Sequence, residues 1–213
     1  RRGTTQARRT VGSTDRGAAM SPADRTTAAS VVYDALTADD AMVCAALDLE
    51  LFGPDGPWSA AAFLSEIGSR HNHCFAARLN GELVGYAVLA TLGTGSDREF
   101  EVHTIGVSER TQGLGIGRTL LRQMLDVVDR EGAPVLLDVR TDNMPARTMY
   151  EAHGFEIVGL RPRYYRPSNA DAYLMTRPGK TLPLKPVPQK KAAPSWTKTV
   201  PVTRDNSGEV AGS

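Results

Sequence analysis

The sequence predicts a single α/β domain of the α+β kind. Three observations carry this. Strand-like and helix-like segments between residues 30 and 177 run in the order β-α-α-β-β-β-α-β-α-β-β. A glycine-rich turn joins one of those strands to a strongly amphipathic helix. A length of 213 residues suits one domain with tails, and no internal repeat is visible.

Each element has its own signal. Val31–Leu36 reads as a strand. Thr37 follows as a helix cap, with Asp40 three residues on to close a capping box. Met42, Val43, Ala46, Leu47 and Leu51 are the expected apolar face of that first helix. Pro54, Gly56 and Pro57 break the next stretch into a loop, and Ser59 caps a short second helix reaching Ile67. Cys74–Leu79 and Leu83–Ala90 flank Asn80-Gly81, the strongest short hairpin signal. Glu99–Val107 is a further strand, followed by the glycine turn. The helix after it carries Leu120, Leu121, Met124, Leu125 and Val128 at helical spacing, and Gly132 ends it. Val135–Val139 is nearly all apolar and so reads as a strand buried on both faces. Asn143 caps a last helix with Pro145 in its first turn, and Gly154 stops it. Phe155–Leu160 and Ala172–Thr176 complete the strands.

The flanks differ from this core. Residues 1–29 hold six arginines against two aspartates and almost no large apolar residues, a composition that predicts an unfolded basic segment. Residues 178–213 form a Pro/Lys-rich tail, predicted to be extended and solvated. Each flank carries +4, so in a chain of net +1 the stretch 30–177 carries −7, and every lysine lies beyond residue 177. An acidic folded part argues against a specific nucleic-acid footprint and suits a cationic acceptor. No apolar run is long enough to span a membrane, and no secretory pattern is visible, so the expected place is the cytoplasm. Cys44 and Cys74 sit among apolar residues and read as reduced, buried thiols. His71, His73 and His153 lack metal-ligand spacing, so no metal is expected.

The chemistry sits in Gln112-Gly113-Leu114-Gly115-Ile116-Gly117-Arg118. Glycines there permit positive φ and let backbone N–H groups approach an anion. A helix N-terminus adds orphan donors and a partial positive charge, which suits phosphate oxygens, and Arg118 adds a formal one. The Gly113-x-Gly115-x-Gly117 spacing is neither the dinucleotide fingerprint nor a Walker loop.

Gln112-x-x-Gly115-x-Gly117, after a strand ending Ile105-Gly106-Val107, resembles the pyrophosphate-binding signature of the GNAT superfamily of acetyl-CoA-dependent N-acetyltransferases. Leu137-Asp138-Val139-Arg140-Thr141-Asp142-Asn143, then Ala146, Tyr150 and Gly154-Phe155, resembles the rest of that signature. Arg161-x-Arg163-Tyr164-Tyr165 and Asp171-Ala172-Tyr173-x-Met175 narrow the resemblance to the RimI family, bacterial enzymes that acetylate the N-terminal alanine of small-subunit ribosomal protein 18. The resemblance covers roughly residues 31–177. It implies the GNAT fold: a mixed, mostly antiparallel sheet of about seven strands with a central splay, and four helices. It also implies acetyl-CoA as cosubstrate, a protein N-terminus as acceptor, and a ribosomal protein as the partner that carries it.

By the same resemblance, Ile105, Gly106 and Val107 offer backbone groups to the pantetheine and acetyl carbonyl. Gly113, Leu114, Gly115, Ile116, Gly117 and Arg118 cradle the pyrophosphate, and Asn143 contacts the pantetheine arm while also capping its helix. The reaction needs a neutral amine to attack a thioester. An α-amino group has a pKa near ~7.7–8, against ~10.4 for lysine, so a modest base suffices at an N-terminus. The family's tyrosine acid corresponds to Tyr150, and its glutamate base to Asp138, which is one carbon shorter and reaches through a water. Glu101 and His103 share one strand face and stand as alternatives for the base. Phe52, Trp58, Tyr164 and Tyr165 are the expected walls of the acceptor groove. Other readings are a GNAT acting on lysine side chains or a small amine, and an acetyl-CoA-binding module without catalysis.

Overall fold

The structure, a computed structural model, describes residues 30–179. The expectations for residues 1–29 and for the tail from residue 180 onward lie outside the described residues. Seven strands form one sheet: β1 (Val31–Ala35), β2 (Asn72–Leu79), β3 (Glu82–Leu92), β4 (Glu99–Val107), β5 (Val135–Arg140), β6 (Glu156–Arg161) and β7 (Ala172–Arg177). Their order across the sheet is β1-β2-β3-β4-β5-β7-β6. Every neighbouring pair is antiparallel except β4–β5, which is parallel. Four helices pack on it: α1 (Ala41–Phe52), α2 (Ala60–Gly68), α3 (Ile116–Glu131) and α4 (Met144–Glu151).

Local chemistry accounts for the joints. Asn80 and Gly81 take φ of 53° and 87°, the double positive φ of a tight hairpin turn between β2 and β3. Ser59 Oγ accepts the Ala62 N–H at 3.2 Å to start α2. Asn143 Oδ1 accepts the Ala146 N–H at 3.1 Å to start α4. Gly132 closes α3 in the left-handed region.

The sheet separates two apolar layers. On one face α3 buries Ile116, Leu120, Leu121, Met124, Leu125 and Val128 against Leu89, Phe100, Val102, Val135, Leu137 and Val139. On the other, Ala41, Cys44 and Leu47 of α1 and Phe63 of α2 pack on Ala76 and Tyr86. The face expected for α1 needs correction. Met42 and Val43 are exposed, and the buried row is Ala41, Cys44, Leu47 and Asp48. The helix is apolar almost all round, so periodicity carried no information, and a carboxylate occupies one core position.

That carboxylate, Asp48, is 2% exposed. It accepts the Tyr86 hydroxyl and the Trp58 N–H, each at 2.5 Å, so one buried group fixes a core ring and the α1–α2 loop together. Tyr86 in turn lies against β4, where a Cβ on Gly106 would come within 2.4 Å of its ring. Glycine at 106 is thus required by the ring beneath it.

Strand β4 carries a bulge at His103: Val88 pairs with Thr104, and Leu89 with Val102. Phe100 and Val102 belong to the α3 core before it, and Ile105 and Val107 pack on that core after it. The extra residue shifts the alternation by one and leaves Glu101, His103 and Thr104 on the opposite side.

Arg78 of β2 clamps the entry to α1, with both terminal nitrogens 2.9 Å from the Asp40 carboxylate and Nε 3.0 Å from Asp34. The Arg78 hydrogen bonds outweigh burial and, with Thr37, hold the Asp40 carboxyl at about 2 against an ordinary 3.8. A depressed acid contributes stability that is present above its unfolded pKa and lost as the pH falls through the folded value. Asp40→Asn is therefore expected to lower stability by about 2 kcal/mol near neutral pH, with the deficit closing between about pH 4 and about pH 2. Urea unfolding across a pH series measures this.

Candidate active site

The parallel pair β4–β5 is bonded only at Phe100–Val135, Glu101–Leu136 and Val102–Leu137. Beyond these residues the strands part. His103–Val107 stay with β3 on one side, and Asp138–Arg140 stay with β7 on the other. Each strand therefore presents one unladdered backbone edge to the wedge between them. Ile105 and Val107 direct backbone groups to that edge, where an extended amide-bearing chain can pair with them, whereas Gly106 needs correction: it stands opposite Tyr86 in the register set by the Ser108 N–H to Val84 carbonyl bond, so its own amide and carbonyl turn to β3.

The glycine turn stands at the far end of β4. Gly113 and Gly115 take φ of 80° and 79°, with open space where a Cβ would be, so the backbone conformation demands them. Gly117 keeps ordinary van der Waals spacing, 3.6 Å from Val107. Gln112 Nε2 donates to the Val107 carbonyl at 3.1 Å and ties the turn to the strand. The first bond into α3 is Thr119 N to Gly115 O, so the amides of Ile116, Gly117 and Arg118 have no acceptor within the helix. Ile116 is a core residue by its side chain and offers only its N–H, whereas Leu114 and Arg118 are exposed. A row of free amides at a helix N-terminus, beside an arginine, fits a pyrophosphate. Asn143 spends its carbonyl oxygen on the α4 cap, leaving its amide nitrogen for a ligand.

The two expected catalytic residues approach from opposite sides of the sheet. Tyr150 of α4 belongs to the α3-side core with Val135, Leu137 and Val139, and its ring meets Phe155 at 5.7 Å. Burial pushes its hydroxyl up to about 12, so it keeps its proton at neutral pH. Asp138 alternates with those β5 residues and points to the other face. Burial raises its carboxyl above the ordinary value. Arg161, 2.8 Å away, and the Tyr164 hydroxyl counteract this, while Glu101 adds to it. The Tyr165 hydroxyl is raised first by burial, then by the electrostatic influence of Tyr164, Asp138 and Tyr150.

The acceptor side is closed by two loops. Tyr164 and Tyr165 of the β6–β7 loop meet edge to face at 5.1 Å, with Arg161 over one ring and Arg140 over the other. Asp55 of the α1–α2 loop binds Arg140 and accepts the Ser168 N–H at 2.8 Å, which joins both loops to the tip of β5. Trp58 packs on Phe63 and meets His103 edge-on. Glu66 of α2 lies 3.0 Å from His103 Nδ1. Phe52 is half-buried at the end of α1, with no aromatic partner among the described residues. Sequence reasoning missed Glu66, Asp48 and Asp55, each a carboxylate whose partner lies far along the chain. Arg161 belonged to a recognised motif, but nothing local marked it as the partner of Asp138.

A splayed parallel strand pair with a glycine turn leading into a helix can take an extended ligand ending in a pyrophosphate, and residues 42–155 match the acetyltransferase (GNAT) family, to which the chain belongs. Enzymes of this family use acetyl-CoA. Within it, the likeness is to the RimI enzymes. The chain is 53% identical over 147 residues to the N-alpha-acetyltransferase RimI of Mycobacterium tuberculosis, covering 69% of this chain and 92% of that protein. It is 31% identical over 125 residues to the [ribosomal protein bS18]-alanine N-acetyltransferase of Escherichia coli, covering 57% and 81%. The crystal structure of the Escherichia coli ribosomal-protein-S18-alanine N-acetyltransferase superposes with a TM-score of 0.60 at 28% identity, covering 73% of this chain and all of that one. Naa50 of Arabidopsis thaliana, solved with the bisubstrate analogue CoA-Ac-MVNAL, gives 0.60 at 25% identity, covering 70% and 98%.

The opposing influences on Asp138 make a direct test of its surroundings. Its carboxyl should titrate above the ordinary value of about 3.9, and Arg161→Met should push it higher by removing the cation. Carbon-detected NMR titration of the aspartate carboxyls reads both shifts; a fall in the variant would contradict the ion pair.

Proposed function

We propose that the chain transfers the acetyl group of acetyl-CoA to the N-terminal α-amino group of a protein, and that this protein is a small-subunit ribosomal protein beginning with alanine. The observation that carries the reading is the 53% identity to an N-alpha-acetyltransferase over 92% of its length. The open β4–β5 edge and the glycine turn supply what the cosubstrate needs. The net −7 of residues 30–177 favours the basic N-terminal region of such an acceptor. A ribosomal acceptor also puts the reaction in the cytoplasm.

In this reading the pantetheine chain adds to the edge of Ile105 and Val107 as a neighbouring strand would, with the bare Gly106 between them, and the amides from Gly113 to Arg118 hold the pyrophosphate. Asp138 draws the proton from the nitrogen as the C–N bond forms, directly or through one water. Tyr150, protonated at neutral pH, gives its proton to the departing sulfur. Tyr164, Tyr165 and Trp58 wall a slot suited to a small first residue.

Two peptides separate the possible acceptors: one with a free N-terminal alanine, the other blocked at its N-terminus and carrying an internal lysine. Thiol release is expected on the first alone; release on the second would move the assignment to a lysine enzyme. Tyr150→Phe should lower kcat by about 10²-fold, the lower end for a lost general acid, with KM for acetyl-CoA little changed.

A further inference from the structure

His103 occupies the point where β4 changes course. It is the extra residue of the bulge, and it is the first residue past the last β4–β5 pair. Its ring is held by two residues, one of them fixed in turn by a third. Nδ1 lies 3.0 Å from Glu66 Oε2 of α2, and that same oxygen accepts Asn72 Nδ2 of β2 at 2.6 Å. Trp58 of the α1–α2 loop meets the ring edge-on, with centroids 6.1 Å apart. The His103 and Glu66 side chains keep 26% and 24% of their surface exposed, so an incoming acceptor can reach them. A carboxylate at Nδ1 fixes the tautomer that carries its proton there, and Nε2 is left with a free lone pair.

We infer that His103 is a catalytic residue that takes the first proton from the acceptor, with Glu66 as the positioning residue that aims its ring. The inference rests on the N-terminal reading above. An α-amine near neutral pH arrives largely as ammonium and must lose two protons to become an amide. Nε2 takes the first, giving a neutral amine and an imidazolium. The amine attacks the thioester carbonyl and the C–N bond forms, while Asp138 takes the second proton. The C–S bond breaks, and Tyr150 protonates the sulfur. Asp138 then restores the Tyr150 proton, and His103 releases its own to solvent. Asp138 is poorly placed to take both protons, because Arg161 and Tyr164 already engage it. Glu66 of α2 touches the ring, Glu101 shares its face of β4 and lies within electrostatic reach of Asp138, and Asp138 with Arg161 stands on the other limb of the wedge. Three carboxylates against one guanidinium attract an ammonium.

The test compares the full chain with His103→Gln and Glu66→Gln on a peptide with a free N-terminal alanine. An α-amine of pKa about 7.8 is about one-twentieth neutral at about pH 6.5 and almost wholly neutral at about pH 9. His103→Gln should therefore fall about 20-fold below the unaltered chain in kcat/KM for peptide at the lower pH and come within about twofold at the higher. KM for acetyl-CoA should not move. Glu66→Gln, which keeps the ring but loosens it, should show the same pattern at smaller amplitude. A loss of equal size at both pH values would mean that His103 only supports the fold, and no loss at either would remove it from the reaction; both overturn the inference and leave the N-terminal reading intact. No turnover of this peptide by the unaltered chain would sink that reading, and this inference with it.

Discussion

The site depends on one irregularity, the extra residue that β4 carries at His103. A parallel strand pair would ordinarily continue its ladder and leave no backbone group free. Here the ladder stops one residue before the bulge, at Val102–Leu137. A bulge bends its strand and increases its twist, so a strand that bulges against β3 is turned away from β5. The shift in phase also keeps Ile105 and Val107 on the α3 core, so the diverging half of β4 stays buried on one side and does not fray. Opening and anchoring thus come from the same residue.

The opening is held at a fixed width from both sides. Beneath β4, the Asp48–Tyr86 hydrogen bond and the close fit of the Tyr86 ring under Gly106 leave the strand no room to sink toward α1. Beyond β5, Asp138 ties that strand to Arg161 of β6, and Arg140 ties its tip to Asp55 and Ser168 in the two flanking loops. Neither limb can close on the other without breaking one of these buried or part-buried contacts, which are costly to leave unmade. Ion pairs at exposed positions would contribute little; these matter because they join segments far apart in sequence.

Much of this was legible in the residues. Strand and helix order, the Asn80-Gly81 hairpin, the caps at Ser59 and Asn143 and the stop at Gly132 all follow from local rules, and the structure has them where those rules put them. The wedge came only through resemblance, because a bulge is a relation between two strands and leaves no trace in one. The buried face of α1 was misread because an apolar helix has no polar side to orient it, and nothing local marks Asp48 as a core position. Glu66 and Asp55 were invisible for a related reason: each finds its partner 37 and 85 residues away, through the fold alone.

The two faces of the sheet hold the proposed acid and the proposed bases in different surroundings. Tyr150 belongs to the dry α3 side, where burial keeps its proton in place. Asp138, Glu101 and His103 belong to the wetter side walled by the α1–α2 and β6–β7 loops. A continuous sheet would keep a buried acid on one face from serving a base on the other. Parting two strands removes the barrier at one point while leaving each group in the environment that sets its charge. The proposed reaction, which takes protons from a nitrogen on one side and gives one to a sulfur on the other, would use that arrangement, and a groove on a single face would have to hold donor and acceptor in the same solvent.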